Sequence, residues 1–165
     1  MLQYLTCGES HGKYLSAILE GLPSGLSVDA KFVDHELSRR QQGFGRGGRQ
    51  KIEHDEIEFI GGIYQGKTTG APVGFLLANQ DVKIDEMPQL FRPRPGHADL
   101  AGSLKYNEGI REILERASAR ETAMRVAIGS VCKLFLKEFG IEIVGHVVQI
   151  GKAIMSEEVT FDQIV

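Results

Sequence analysis

The chain has 165 residues, of which 42% are hydrophobic, and its 19 Lys and Arg side chains are outnumbered by 22 Asp and Glu, for a formal net charge of −3. This length and apolar content predict one domain with a substantial core, and the acidic balance argues against a nucleic-acid-binding protein. With only Cys7 and Cys132 and no HxxxH spacing, we expect neither a disulfide framework nor a metal site. The sequence shows no secretory leader and no run of about 18 apolar residues, so we predict a soluble, cytoplasmic protein without a membrane partner.

The first quarter of the chain predicts a strand, a loop, a second strand and a helix. Residues 2–6 and 15–19 are β-prone runs that flank the sequence GESHG, and a GLPSG turn follows. Asp29 is placed to cap the helix. The apolar face of that helix consists of Phe32, Val33 and Leu37.

The most basic segment covers residues 39–51 and reads RRQQGFGRGGRQK. Glycine permits positive φ and close backbone approach, and each guanidinium offers paired donors, so one interpretation is a cupped site for a small polyanion. The other is a solvated loop, or an RGG-like segment that binds RNA without sequence preference. The cations of this segment are Arg39, Arg40, Arg46, Arg49 and Lys51.

Residues 56–79 predict two strands joined by a glycine- and threonine-rich turn, with residues 75–77 facing the core. The GKTTG sequence at residues 66–70 does not fit a nucleotide-binding P-loop. That motif needs four residues between its first glycine and its GK pair, and Gly61 lies in the wrong place. We therefore predict a hairpin turn at GKTTG.

Two prolines stiffen the RPRPGHAD loop at residues 92–99, which carries two arginines and His97 close to the start of a predicted helix through Tyr106. His97 can donate to an anion or an electron-rich ring, although a single histidine is more often structural. The histidines predicted to be structural are His35, His54 and His146.

The strongest helical pattern covers residues 118–139, where Ser118 and Glu121 predict a capping box. Its apolar stripe consists of Ala123, Ala127, Val131, Leu134 and Phe135. The N–H groups of its first turn, flanked by Arg116 and Arg120, can bind a phosphate or a flavin edge, but an ordinary capped core helix has the same pattern. The residues 141–150, rich in Ile and Val, then predict a strand.

Five motifs occur in a family-specific order: GESHG from residue 8, RRQQGFGRGGRQKIEHD from 39, GKTTGAPV from 66, RPRPGHADLAG from 92 and ERASARETAMRVAIG from 115. Over residues 1–150 the chain resembles the N-terminal half of the chorismate synthase family. The resemblance implies an α+β fold, a sandwich of antiparallel sheets with helices between them, with only about the first half present. Residues 1–165 would be the N-terminal portion of a single, truncated domain, and the complete enzyme a homotetramer.

The resemblance also implies an activity, a carbon-oxygen lyase at the seventh step of the shikimate pathway. It performs an anti-1,4 elimination of phosphate from 5-enolpyruvylshikimate 3-phosphate, a small anionic substrate, to give chorismate. Reduced FMN is required, and NADPH is a possible reductant. An alternative is a truncated, inactive module that at most binds anionic ligands or a complementing partner half. The isolated chain is expected to be inactive, because the half that is missing supplies an Arg-Ser-Asp motif.

By the same resemblance, His11 would protonate the departing phosphate and His97 would hydrogen-bond the flavin. The substrate-binding residues would be Ser10, Arg40, Arg46, Arg49, Arg94, Ser118 and Arg120. The cofactor-binding residues would be Arg40, Arg46, Arg49, Arg116, Ala117 and Ser118. Arg40 and Arg46 would alternatively meet NADPH in members that reduce their own flavin.

Overall fold

The computed structural model describes residues 1–43 and 47–164 of the chain. Its strands are β1 (Gln3–Cys7), β2 (Tyr14–Glu20), β3 (Glu58–Gly61), β4 (Ile63–Tyr64), β5 (Lys67–Thr68), β6 (Val73–Ala78), β7 (Gln149–Ile150) and β8 (Ala153–Ile154). Its α-helices are α1 (Ala30–Gln41), α2 (Asp99–Tyr106), α3 (Ile110–Arg116), α4 (Thr122–Lys137) and α5 (Phe161–Ile164). The main sheet has the strand order β1-β2-β6-β3, and all its neighbours are antiparallel.

The main sheet buries one face, because side chains alternate between its two sides along β2 and β6. The predicted strand over residues 2–6 is confirmed with a shift of one residue, and that over 15–19 is one residue longer at each end. The inward side chains are Leu15, Ala17, Leu19, Val73, Phe75 and Leu77. Burial of each large apolar side chain contributes about 1.5–3 kcal/mol.

Helices α1 and α4 complete the core by packing on each other and, through α4, on the sheet. Asp29 caps α1 as predicted, since its Oδ1 accepts a hydrogen bond of 3.0 Å from the N–H of Lys31. Val33 and Leu37 on the predicted face of α1 are fully buried. The predicted stripe of α4 is confirmed, with Ala123, Ala127 and Val131 buried and Leu134 and Phe135 partly buried against them.

The prediction that residues 56–79 form two strands joined by a turn at GKTTG is only partly right. β3 does pair with β6, but the chain between them forms a separate hairpin of β4 and β5. Its turn residues are Gln65 and Gly66, whose φ values of 49° and 72° suit the two central positions of a type I′ turn. Most of GKTTG therefore follows the turn, and Thr68 is buried with its Oγ1 donating to the carbonyl of Pro23 at 2.6 Å.

The predicted strand over residues 141–150 is wrong. Only β7, at its end, is a strand, and it pairs with β8 in a two-residue hairpin. A strand needs a neighbouring strand for its N–H and C=O groups, and in the described part of the chain no strand pairs with residues 141–148; Ile141 and Val148, at the two ends of the range, each make one backbone hydrogen bond. Their Ile and Val side chains consequently remain exposed.

The predicted capping box at the start of α4 is also wrong. A 3₁₀ turn, Ala119–Glu121, precedes the helix, and the Oγ of Ser118 accepts from the N–H of Arg120 at 3.3 Å. The carboxylate of Glu121 instead accepts from Thr6 Oγ1 at 2.7 Å and from Arg125 Nε at 2.9 Å. The predicted helix through Tyr106 is confirmed as α2, and no helix in the described ranges is long and apolar enough to cross a bilayer.

Candidate functional site

Three parts of the chain meet beside the loop that joins β1 to β2. Asn79, just after β6, donates from Nδ2 to the carbonyls of Ser10 at 3.3 Å and Gly12 at 2.7 Å. Its Oδ1 accepts from Arg120 Nε at 2.7 Å. This single buried amide therefore joins the loop to the start of α4.

Arg49, in a 3₁₀ turn (Gly48–Lys51), connects the basic segment to this loop. Its guanidinium donates to the Oγ of Ser10 at 2.6 Å and also to the Ser10 carbonyl. Its Nε donates to Glu53 Oε1 at 3.0 Å. The hydroxyl that was predicted to bind substrate is thus already oriented by an arginine with the same predicted role.

Arg120 lies deeper than the sequence suggested, with only 6% of its surface exposed. It donates to Asp55 Oδ2 at 2.8 Å, and Glu53 Oε2 lies 3.6 Å from its Nη2. That Nη2 is also 2.8 Å from Asp55 Oδ1, but the alignment leaves both atoms without a proper hydrogen bond. The structure therefore does not present Arg120 as an open anion contact, and its predicted contact with substrate stays a prediction.

Arg40, at the end of α1, reaches across to the start of α4. It donates from Nη2 to Thr122 Oγ1 at 2.9 Å and to the carbonyl of Ala119 at 3.1 Å, and its Nη1 lies 3.8 Å from Asp55 Oδ2. The helix dipole alone does not explain this position, because the bonds go to a different helix. Arg46, the other predicted cation of this loop, lies outside the described residues.

Glu53 and Asp55 are the acidic partners of these arginines, and the sequence analysis missed both. They are 2% and 5% exposed, whereas their neighbours Ile52, His54 and Glu56 are exposed. Burial alone would raise the pKa of Glu53, but hydrogen bonds from the N–H groups that follow Asn79, and the nearby arginine charges, outweigh burial and lower it. The alternation of KIEHD, with acids two residues apart after a basic loop, is the signal that could have found them.

His11 stands between two carboxylates. Its Nδ1 lies 2.8 Å from Glu115 Oε2, and its Nε2 lies 3.5 Å from Asp81 Oδ2. The N–H of His11 also donates to Glu115 Oε2 at 3.0 Å. Asp81 in turn pairs with Lys83 at 2.8 Å, and this hydrogen bond is the main cause of the lowered pKa of Asp81.

The loop that carries Arg94 and His97 is held by bonds within itself and to the first residue of α2. Arg94 donates to both oxygens of the buried Asp99 at 2.9 Å, and its N–H adds a third bond of 2.9 Å. The hydrogen bonds from Arg94 lower the pKa of Asp99 to about 2. His97 is exposed, with its Nδ1 3.0 Å from the carbonyl of Pro95, so its ring stands free of the core.

A cleft of about 510 Å³ lies beside the N-terminal end of α4 and has the size of a small-molecule site. Arg116, Ala117 and Ser118, the predicted flavin contacts, form one wall. The guanidinium of Arg116 stacks over the ring of Tyr106 with its Cζ 4.4 Å from the ring centroid, which restricts where its charge can lie. The opposite wall consists of Thr6, Cys7, Gly8 and Glu9, and Glu121 and Arg125 complete the lining.

Comparison with known proteins identifies the family. The family model described as chorismate synthase matches residues 2–164. The chain belongs to the chorismate synthase family. It is 58% identical to a chorismate synthase of Caldanaerobacter subterraneus subsp. tengcongensis over 161 residues, which are 95% of this chain and 46% of that protein. It is 52% identical to the chorismate synthase of Aquifex aeolicus, covering 94% of this chain and 42% of the relative.

A solved structure, described as the crystal structure of chorismate synthase, resembles the chain with a TM-score of 0.74 and 45% identity. The alignment covers 93% of this chain and 39% of the chain in the solved structure. The predicted α+β fold and the resemblance to the N-terminal half of the family are confirmed. The chain spans less than half the length of these chorismate synthases.

Apart from Arg46, the predicted site residues fall into three groups. The group that the structure joins in one hydrogen-bonded network consists of Ser10, Arg40, Arg49, Ser118 and Arg120. His11 is the neighbour of Ser10 in the same loop. Arg94 and His97 belong to the proline-stiffened loop, and Arg116 and Ala117 to the cleft wall.

Proposed function

We propose that this chain provides the substrate-binding part of a chorismate synthase. The reaction is the elimination of phosphate and a ring proton from 5-enolpyruvylshikimate 3-phosphate to give chorismate. The observation that carries the proposal is the arginine network built around Ser10 and next to His11, in a chain that belongs to this family. On this proposal residues 1–165 are the N-terminal portion of one domain, in a cytoplasmic homotetramer.

The substrate has one phosphate and two carboxylates, so its binding requires several cations and hydroxyl donors. Arg49 and Ser10 are joined and partly accessible, and we assign them to this role together with Arg40 and Arg46. Arg94 would contribute from its own loop through the guanidinium nitrogen that Asp99 does not engage. Arg120 and Ser118 would contact the anion where α4 begins.

His11 is assigned the protonation of the leaving phosphate. A histidine suits this step because its unperturbed pKa lies near 6.5, so either protonation state is accessible at neutral pH. Proton transfer by a positioned side chain typically contributes about 10²- to 10⁴-fold in rate. The ring is largely withdrawn from solvent, with 14% of its side chain exposed, so a bound substrate rather than water would receive the proton.

Reduced FMN fits the residues of the cleft at the start of α4. Arg116 supplies a charge, Ser118 a hydroxyl and the 510 Å³ volume the space. His97, an exposed residue of the loop before α2, would hydrogen-bond the ring system. When bound, the reduced flavin supplies electron density to the reaction without net redox change. NADPH is the proposed reductant in an enzyme that reduces its own flavin.

A chimera tests the proposal. The part of the Caldanaerobacter enzyme that aligns with this chain is replaced by residues 1–165, and chorismate formation is followed anaerobically with reduced FMN. We expect turnover in the chimera and a loss of about 10²-fold or more in His11→Ala, by the usual size of general-acid effects. His97→Ala should lose most of the turnover, because the proposed hydrogen bond to the flavin is removed. His35→Ala is the control, since that exposed histidine lies on α1.

A folded chimera that binds FMN but forms no chorismate would overturn the proposal. Normal turnover in either histidine variant would remove that residue from the mechanism. The 165-residue chain alone should form no measurable chorismate, because it spans only 46% of the length of the Caldanaerobacter enzyme. Turnover by the isolated chain would refute that expectation.

A further inference from the structure

Glu115, on helix α3, holds His11 through hydrogen bonds to both its backbone and its ring. The Oε2 of Glu115 accepts from both the backbone N–H and the ring Nδ1 of His11, at 3.0 and 2.8 Å. The Ser10 N–H donates to the Glu115 carbonyl at 3.1 Å. Glu115 thus fixes both the path of the loop and the direction of the imidazole ring.

The proton in the short bond between Glu115 and His11 belongs on the histidine. Apart from the His11 ring, the partners of the Glu115 carboxyl among the described residues are N–H groups: the backbone N–H of His11 at 3.0 Å from Oε2 and the Nη1 of Arg111 at 3.4 Å from Oε1. A carboxyl group surrounded by donors acts as the acceptor, so Nδ1 carries the hydrogen. Glu115 is 3% exposed, so water does not compete for this bond.

The other ring nitrogen has a weaker and more accessible contact. Nε2 lies 3.5 Å from Asp81 Oδ2, which is beyond a normal hydrogen bond, and Asp81 is engaged by Lys83 at 2.8 Å. Among the described residues, the charged groups paired with the ring are Glu115, which also meets Arg111, and Asp81, which also meets Lys83. A ligand oxygen could replace Asp81 at Nε2 without disturbing Nδ1.

We propose that Glu115 is a positioning residue that keeps a proton on Nδ1 of His11 and so assigns proton exchange with the ligand to Nε2. The hydrogen bond at one ring nitrogen decides the state of the other, in the way that an acidic partner fixes the tautomer of a catalytic histidine. The consequence for turnover rests on the proposed function. The tautomer of His11 does not depend on the proposed function, and it can be measured without an activity assay.

The first experiment is ¹⁵N NMR of the 165-residue chain with labelled histidine, at a pH where the rings are neutral, with His11→Gln used to assign the His11 signals. We expect Nδ1 of His11 to resonate as a protonated nitrogen in the unmodified chain and in Asp81→Asn. In Glu115→Ala the Nδ1 signal should move toward the unprotonated position, while His97, whose Nδ1 bonds Pro95, stays unchanged.

An unprotonated Nδ1 in the unmodified chain overturns the proposal, and so does a Glu115→Ala spectrum that leaves His11 unchanged. If Glu115→Ala does not fold, the unmodified chain and Asp81→Asn still decide. A shift of the Nδ1 proton in Asp81→Asn would contradict the assignment to Glu115.

The second experiment measures kinetics in the chimera described above. Glu115→Gln should lower kcat by about 10²- to 10⁴-fold, the usual contribution of a general acid, with little change in KM. Glu115→Asp should restore part of the loss, because it returns the carboxylate. Glu112→Gln is the matched control, since Glu112 is an exposed carboxylate on the same helix that bonds Gln89 instead.

The two proposals fail separately. Normal turnover in His11→Ala would refute the catalytic role of His11 and leave the NMR result standing. Normal turnover in Glu115→Gln, with turnover lost in His11→Ala, would refute the positioning role alone.

Discussion

Asp55→Asn removes one negative charge from the buried ion pairs while keeping the shape of the side chain. The Asp55 side chain is fully buried, and its two oxygens each lie 2.8 Å from a guanidinium nitrogen of Arg120, whose side chain is 5% exposed. Removing one partner of a buried pair costs about 3–5 kcal/mol, because the remaining charge is left uncompensated. Glu53 and Asn79 still contact Arg120, so we expect the lower end, about 3 kcal/mol.

Urea unfolding followed by far-UV circular dichroism measures this loss. With a slope of about 2 kcal/mol per molar urea, a loss of about 3 kcal/mol lowers the midpoint by roughly 1.5 M. Glu58→Gln is the control, since Glu58 is exposed on β3, and it should change the free energy of unfolding by less than about 0.5 kcal/mol. Salt should not reproduce the effect, because buried pairs are only weakly screened.

A double-mutant cycle of Asp55→Asn with Arg120→Gln separates the pair from its surroundings. We expect a coupling free energy above about 1 kcal/mol, as found for groups in one ion-pair network. Two results would refute the reasoning: a loss below about 0.5 kcal/mol in Asp55→Asn, which is the size of a surface substitution, or additive losses in the double variant.

Three further predictions concern the fold and the loop. Asp99→Asn should release Arg94 and lower the amide protection factors in the proline-stiffened loop. Because the pKa of Asp99 is depressed to about 2, the bond to Arg94 stabilises the native state above the unfolded pKa near 4 and is lost as pH falls through 2. Protection factors, corrected for the intrinsic pH dependence of exchange, that stay constant over this window would contradict the prediction. Cys7 should be alkylated before Cys132, whose thiol pKa is raised by burial, and mass spectrometry showing the reverse order would contradict this. Leu37→Ala, at a fully buried position on α1, should cost about 2–5 kcal/mol in urea unfolding, and a loss below about 1 kcal/mol would show that the site is not tightly packed.

Elements fixed by local patterns were predictable from the sequence. The cap at Asp29 and the stripe of α4 depend on neighbours a few residues away, so their patterns identified them. The capping-box prediction failed because the carboxylate of Glu121 bonds Thr6, which is distant in sequence, and Arg125. These bonds replace the bond to the backbone N–H of Ser118 that a capping box requires. The strand over residues 141–150 failed because hydrophobic alternation cannot tell whether a neighbouring strand is available.

The arginines of the candidate site were predictable from the sequence, and their buried acidic partners were not. Arginines in a glycine-rich loop suggest an anion site by themselves, and the family motifs named the same residues. The alternation in KIEHD is the one local sign that Glu53 and Asp55 are buried, and nothing local marks Glu115 as buried. Their roles depend on partners that are distant in sequence. Asp55 and Arg120 are 65 residues apart, and Glu115 and His11 are 104 residues apart.

The buried acids explain how a cluster of arginines can fold before its ligand arrives. Unpaired cations packed this closely would repel one another, and burying one of them without a partner would cost several kcal/mol. Glu53 and Asp55 offset that cost for Arg120, and Glu53 also orients Arg49 toward Ser10. On the proposed function, the side chains that meet the substrate are therefore already ordered, so binding loses less side-chain entropy than it would with freely moving arginines. The same contacts limit affinity, since each guanidinium that turns toward the substrate must weaken its bond to a protein acid.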